Sequence, residues 1–186
     1  MHVGHCRGAI YGDVLTNLLK FNGNKVTKEY YINDYGNQIK NFVESVFLRI
    51  REIKFAEKFP IKENLYPGLY IKDIAQKILD KSDNVDFNEF KKVFEILKKK
   101  SLFESMELIK NDLNLLGISH DKFFSETELI KKDLVNKAVK KLSDKKLVEE
   151  GFLDPPKGES NEKWKKTKRL IFKSTLFGDD ADRALQ

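Results

Sequence analysis

At the start of the chain, His2-Val3-Gly4-His5 sets two imidazoles three residues apart with a glycine between them, just ahead of an apolar pattern of helical period. At a helix N-terminus the first-turn amides and the helix dipole favour an anion. Imidazoles can donate to phosphate oxygens, and glycine lets a flat group such as adenine approach the backbone. The chemistry that fits is attack of an acid on a nucleotide α-phosphate, with the histidines meeting charge that builds in the transition state. Four residues alone also admit a plainer reading, two surface histidines at a frayed terminus. A metal centre is disfavoured because no third His or Cys stands at ligand spacing and His120 is remote in sequence.

These residues need elements to hold them. Ala9, Ile10, Val14, Leu15, Leu18 and Leu19 recur at helical spacing, so a helix is expected from near His5 to the Asn22-Gly23-Asn24 stop. Lys25 to Ile32 is rich in β-branched and aromatic residues and predicts a strand, with a turn at 33–37. Helix, turn, strand, turn is half of a βαβ unit without residues for its first strand. Ile39, Phe42, Val43, Val46, Phe47, Ile50 and Ile53 trace one face of a long helix. After Tyr66-Pro67-Gly68, helical patterns run from Tyr70 to Lys81, Phe87 to Lys100 and Leu102 to Leu116. Ser125 and Glu128 have capping-box spacing and would open one helix through Leu142. A short strand at His120 to Phe124 precedes it. Short strands at Leu147-Val148, Gly151 to Leu153 and Leu170 to Phe172 follow, and the residues from Phe177 onward show no closing element.

Composition narrows the class. The chain of 186 residues is 40% hydrophobic and 34% charged, a globular balance, and no stretch approaches the ~20 apolar residues that span a bilayer. The start lacks the features of a signal or transit peptide, and Cys6, the only cysteine, precludes an internal disulfide. A cytoplasmic protein is expected, with Cys6 as a packed residue. The net charge of +6 comes mostly from lysine and suits either a solvated surface or contact with nucleic acid. Lys98 to Lys100, Lys140-Lys141, Lys145-Lys146 and Lys163 to Lys168 could line an RNA path, and Trp164 among them could stack on a base or pack under its loop. The acidic run from Asp80 to Glu89 is not a calcium loop: with Glu89 twelfth, Ile78 falls first and Asp83 stands where the tight turn wants glycine. Asp83-Asn84 reads instead as a helix cap or turn.

The stretch His2 to Asp13, with His-Val-Gly-His running into Arg7-Gly8 and Gly12-Asp13, resembles the signature region of class I aminoacyl-tRNA synthetases, specifically the arginine enzymes. Three further stretches are similar to that family in the same order: Tyr30 to Gln38, Leu116 to Glu126, and Phe177 to Arg183. The resemblance implies an α/β, helix-rich fold, an incomplete Rossmann-like class I synthetase catalytic domain with a helical insertion. Residues 1–56 would be the first half of the nucleotide-binding fold lacking its first strand, 57–117 the insertion, and 118–186 a mixed α/β segment leading to a second half. It implies ligation of L-arginine to tRNA(Arg) through an arginyl-adenylate, with ATP consumed and Mg²⁺ carried on its phosphates. No protein metal site is implied, and the full-length enzymes would be monomers. By position, His2 and His5 would be catalytic, His2, Gly4 and His5 would bind ATP, and His2, Asp34, Gln38 and Glu126 would border the arginine. The strand before the histidines, its asparagine–proline segment and a Lys-Met-Ser-Lys-Ser-like loop are not found in the sequence, so these residues alone are expected to be inactive. Another class I synthetase or nucleotidyltransferase, and a non-catalytic tRNA-binding piece, remain as alternatives.

Overall fold

The computed structural model describes residues 1–82, 85–153 and 167–185. The Asp83-Asn84 cap, Trp164 and Lys163 to Lys166 lie outside them. The chain divides into two compact units, Met1–Thr127 and Glu128–Gln186.

In the first unit α1 (Val3–Phe21) leads to β1 (Glu29–Ile32), then α2 (Asn37–Phe55), α3 (Leu69–Asp80), α4 (Phe90–Leu115) and β2 (Lys122–Ser125). The core lies among α2, α3 and α4, where Val43, Val46, Ile50, Ile71, Ile74 and Ile78 are all but inaccessible. Each such side chain contributes roughly 1.5–3 kcal/mol on burial. The chain break at Tyr66-Pro67-Gly68 is tied to α2: Ser45 Oγ accepts from the Tyr66 amide at 2.9 Å, and Arg49 donates to the Pro67 carbonyl at 2.7 Å.

The two helical patterns around Lys100 form one continuous helix, α4. Its buried stripe passes from Val93 and Leu97 through Ser101 and Glu104, and Glu104 accepts a 2.7 Å salt bridge from Lys81. Those two polar members interrupt the apolar pattern without breaking the backbone, and no glycine or proline lies between the two patterns.

β1 and β2 pair in parallel, Glu29 opposite Lys122 and Ile32 opposite Ser125. Polar contacts fasten α1 to this sheet. Lys28 reaches Asp13 of α1 at 2.7 Å, while its amide donates to Asp121 at 2.7 Å and its carbonyl accepts from the Asp121 and Lys122 amides. Apolar burial contributes little: Tyr11, Leu18 and Phe21 of α1 are mostly exposed, and Thr16 is its one buried residue.

The helix that the Ser125 spacing predicts opens directly after it, at Glu126, and the Ser125 hydroxyl, at the end of β2, also donates to Asp34. The helix expected through Leu142 is two helices, α5 (Glu126–Lys131) and α6 (Leu134–Asp144). Between them Asp133 sits at φ 56°, a left-handed conformation that aspartate tolerates better than most residues.

In the second unit β3 (Val148–Gly151), β4 (Arg169–Phe172) and β5 (Arg183–Leu185) form an antiparallel sheet in that order, and α6 packs on β3. The expectation of no closing element fails at β5. That strand is held by side chains ahead of it: Asp182 accepts from the Thr175 amide and hydroxyl at 3.0 and 2.7 Å, and Arg183 forks onto Asp179.

Candidate functional site

The N-terminus of α1 is capped by His2 itself. Its backbone is extended, and its Nδ1 accepts from the amides of Gly4 at 3.1 Å and His5 at 3.4 Å. An accepting Nδ1 leaves the proton on Nε2, so the free edge of the ring is a hydrogen-bond donor. The His5 ring stacks on it, centroids 3.6 Å apart and planes 22° from parallel. A Cβ on Gly4 would lie 3.0 Å from His2 Cε1 and 3.2 Å from Nδ1, so glycine is what lets the ring fold back over the first turn. An anion on the first-turn amides is the expectation from the sequence. Two of them are instead occupied by His2, which presents its own N–H in their place.

His2, Gly4 and His5 open onto a cavity of about 890 Å³ whose wall continues along Gly8 and Ala9 of α1, Tyr30 of β1, Tyr70 of α3 and Ser105 to Leu113 of α4. That size is within the range of small-molecule sites. His120 also lines it. Parallel pairing of β1 with β2 carries this residue from far along the chain to a place beside Tyr30, whose ring it meets edge-on at 5.4 Å. Burial, helped by the Lys28 charge, pushes the His120 pKa down. Its Nδ1 is enclosed and has no hydrogen-bond partner among the described residues. The signal that could have found His120 was the short strand read from His120 to Phe124, had its parallel partner been known. Among the described residues no cluster of His, Cys, Asp or Glu has a metal-holding arrangement.

Asp34 and Glu126 come together at the carboxyl ends of β1 and β2, where open α/β sheets place their ligands. Asp34 accepts from the Ser125 hydroxyl at 2.6 Å and the Thr127 amide at 2.8 Å, and its carbonyl accepts from the Thr127 hydroxyl at 3.1 Å. Burial pushes its carboxyl up, but the Ser125 and Thr127 donors outweigh it and hold the pKa below the ordinary value. Glu126, the first residue of α5, accepts from the Tyr31 hydroxyl. Burial, that bond and the charges of Glu126 and Asp34 together raise the Tyr31 pKa. Gln38 is exposed in the first turn of α2, after Gly36, whose φ of 85° requires glycine there. The cavity is lined by His2, Gly4 and His5, and Asp34, Gln38 and Glu126 are not part of its wall.

Asp34→Ala should lower the unfolding free energy of the first unit by about 2–4 kcal/mol, since it strands a hydroxyl and an amide that donate to a carboxylate. Denaturant unfolding followed by circular dichroism measures this. Because folding depresses the Asp34 pKa, its contribution is complete above the unfolded value of about 4 and is lost as pH falls through the lower folded value. The gap between wild type and variant should therefore narrow below about pH 4.

The family described as tRNA synthetases class I (R), catalytic domain, matches residues 1–152. Over its whole length the chain is 55% identical to an arginine–tRNA ligase of Pelagibacter ubique and 50% identical to one of Ehrlichia chaffeensis, covering 32% of each. The crystal structure described as an arginyl-tRNA synthetase of Campylobacter jejuni matches with a TM-score of 0.76 at 30% identity, over 99% of this chain and 37% of that one. The chain thus spans about a third of the length of the curated relatives it matches.

Proposed function

Since the chain belongs to the class I tRNA synthetase (R) catalytic-domain family, we propose that it supplies the histidine-bearing part of an arginine–tRNA ligase. The reaction joins the arginine carboxylate to the α-phosphate of ATP, releases pyrophosphate, and passes the arginyl group to the terminal ribose of tRNA(Arg). The observation that carries this reading is the stacked His2–His5 pair at the mouth of a cavity of nucleotide-binding size.

Within that reading, His2 Nε2–H donates to an ATP phosphate oxygen, and His5 stands beside it to meet charge as the α-phosphate becomes five-coordinate. Gly4 keeps the first turn clear for the His2 ring and for the adenine. Asp34 acts through structure: it locks the ends of β1 and β2 and so holds Glu126, whose carboxylate is of the kind that reads a guanidinium. Gln38 borders the same side. Mg²⁺ would arrive on the phosphates, neutralising them, rather than in a protein site. The setting proposed is the cytoplasm, with tRNA(Arg), L-arginine and ATP as partners. Among the described residues no helix is long and apolar enough to cross a membrane.

The test is a chimera in which this chain replaces its counterpart in the Pelagibacter relative. With tRNA present, ATP–pyrophosphate exchange should depend on arginine and not on lysine or cysteine. Exchange driven by either of the other two would reassign the substrate.

A further inference from the structure

The second unit carries two kinds of lysine. On the sheet Lys168 pairs with Glu150 and Lys173 with Glu149. On α6 and the turn after it, Lys140, Lys141, Lys145 and Lys146 are exposed, with no carboxylate in ion-pair range among the described residues. Helical spacing sets Lys137 and Lys140 opposite the apolar stripe of Leu134, Val135, Ala138, Val139 and Leu142, with Lys141 at the edge of that stripe. Asp144 shares their face yet forms no ion pair with them, and among the described residues Lys137 donates only to the Lys132 carbonyl, at 3.4 Å. Cations in a last turn suit the helix dipole, which accounts for part of the pattern. It does not account for Lys146, which sits at φ 58° after the helix end, a position where glycine or asparagine costs less.

We infer that this face of α6 and its C-terminal turn form a docking surface for the phosphate backbone of RNA. The inference rests on the ligase reading for the identity of the polyanion. The helix is about 16 Å long, enough to pass several phosphates of one strand. RNA is favoured over a lipid surface because α6 packs on β3 with Val139 and Leu142 half-buried, which leaves only Leu134, Val135 and the small Ala138 of its apolar side exposed, too small a face to hold the helix in a bilayer.

The experiment uses the whole chain and a fluorescein-labelled tRNA(Arg) transcript, with anisotropy followed as salt is raised. The combined variant K140A/K141A/K145A/K146A should lower the slope of log K against log salt by about 3 and weaken binding at least about tenfold at low salt. K168A/K173A, which removes paired lysines, should change Kd less than about threefold. K146G alone should raise the thermal midpoint while weakening RNA binding, opposite signs that a purely structural lysine would not give. Circular dichroism should show helix content preserved, alanine being the better helix former. An unchanged slope in the combined variant, no binding by the wild-type chain, or tighter lysine-dependent binding to phosphatidylserine vesicles than to RNA would each overturn the inference. The ligase reading stands or falls separately, on arginine-dependent exchange by the chimera.

Discussion

Exchanging His5 for Asn in the Pelagibacter chimera should slow arginyl-adenylate formation by about 10²–10³-fold and change the apparent affinity for ATP by less than about threefold. The split follows from the local geometry. The His5 ring makes no cap of its own: it lies stacked on His2, while His2 Nδ1 holds the amides of Gly4 and His5. Helix α1 therefore keeps its start when His5 changes, and asparagine retains a donor for ground-state contact. On the proposed reading, what is lost is an imidazole placed where charge develops during the displacement. Single-turnover adenylate formation measured against ATP concentration separates the two parameters. A proportional rise in KM at constant rate would make His5 a ground-state binding residue.

The 186-residue chain by itself should give no ATP–pyrophosphate exchange above background, even with saturating arginine and tRNA. It spans about a third of its curated relatives, and its cavity is walled by α1, one strand and the helices α3 and α4. Adenylate formation requires donors on the pyrophosphate side as well as on the α-phosphate side, because charge builds on both groups as the bond breaks. The resemblance to the class I synthetases implies a lysine-bearing loop for that side, and the 186 residues contain no Lys-Met-Ser-Lys-Ser-like stretch. Rate enhancements of many orders of magnitude depend on the complete constellation, so the expected deficit is total rather than partial. Mixing the chain with the remaining part of the Pelagibacter enzyme and repeating the exchange assay tells whether the two parts assemble. Appreciable exchange by the chain alone would mean that its own residues complete the site.

The sequence made the histidine pair, α1, β1, α2 and α3 legible, because those elements follow unbroken period-3.6 patterns or a β-branched run closed by glycine or asparagine. The parts it concealed share a cause: they depend on contacts between distant residues. Ser125 stands where its spacing to Glu128 places a helix start, but the bond its hydroxyl makes to Asp34, 91 residues away, has no local signal. Ser101 and Glu104 resemble a break between helices until Lys81 and the neighbouring helix are seen to cover them. β5 is three residues long and owes its place to Asp179 and Asp182. His120 stands far along the chain from the histidine pair, and the parallel pairing of β1 and β2 puts it on the cavity wall. His2 carries a role that no motif spells out, since its cap on α1 fixes which ring nitrogen faces outward.

The most direct measurement is charging itself: tritiated arginine, ATP and tRNA(Arg) transcript incubated with the chimera, and acid-precipitable label counted over time. Label should accumulate with the wild-type chain segment and fall by about 10²–10³-fold with His5→Asn. Label accumulating equally with both, or only when a different amino acid is supplied, would contradict the assignment of the His2–His5 site to arginine activation.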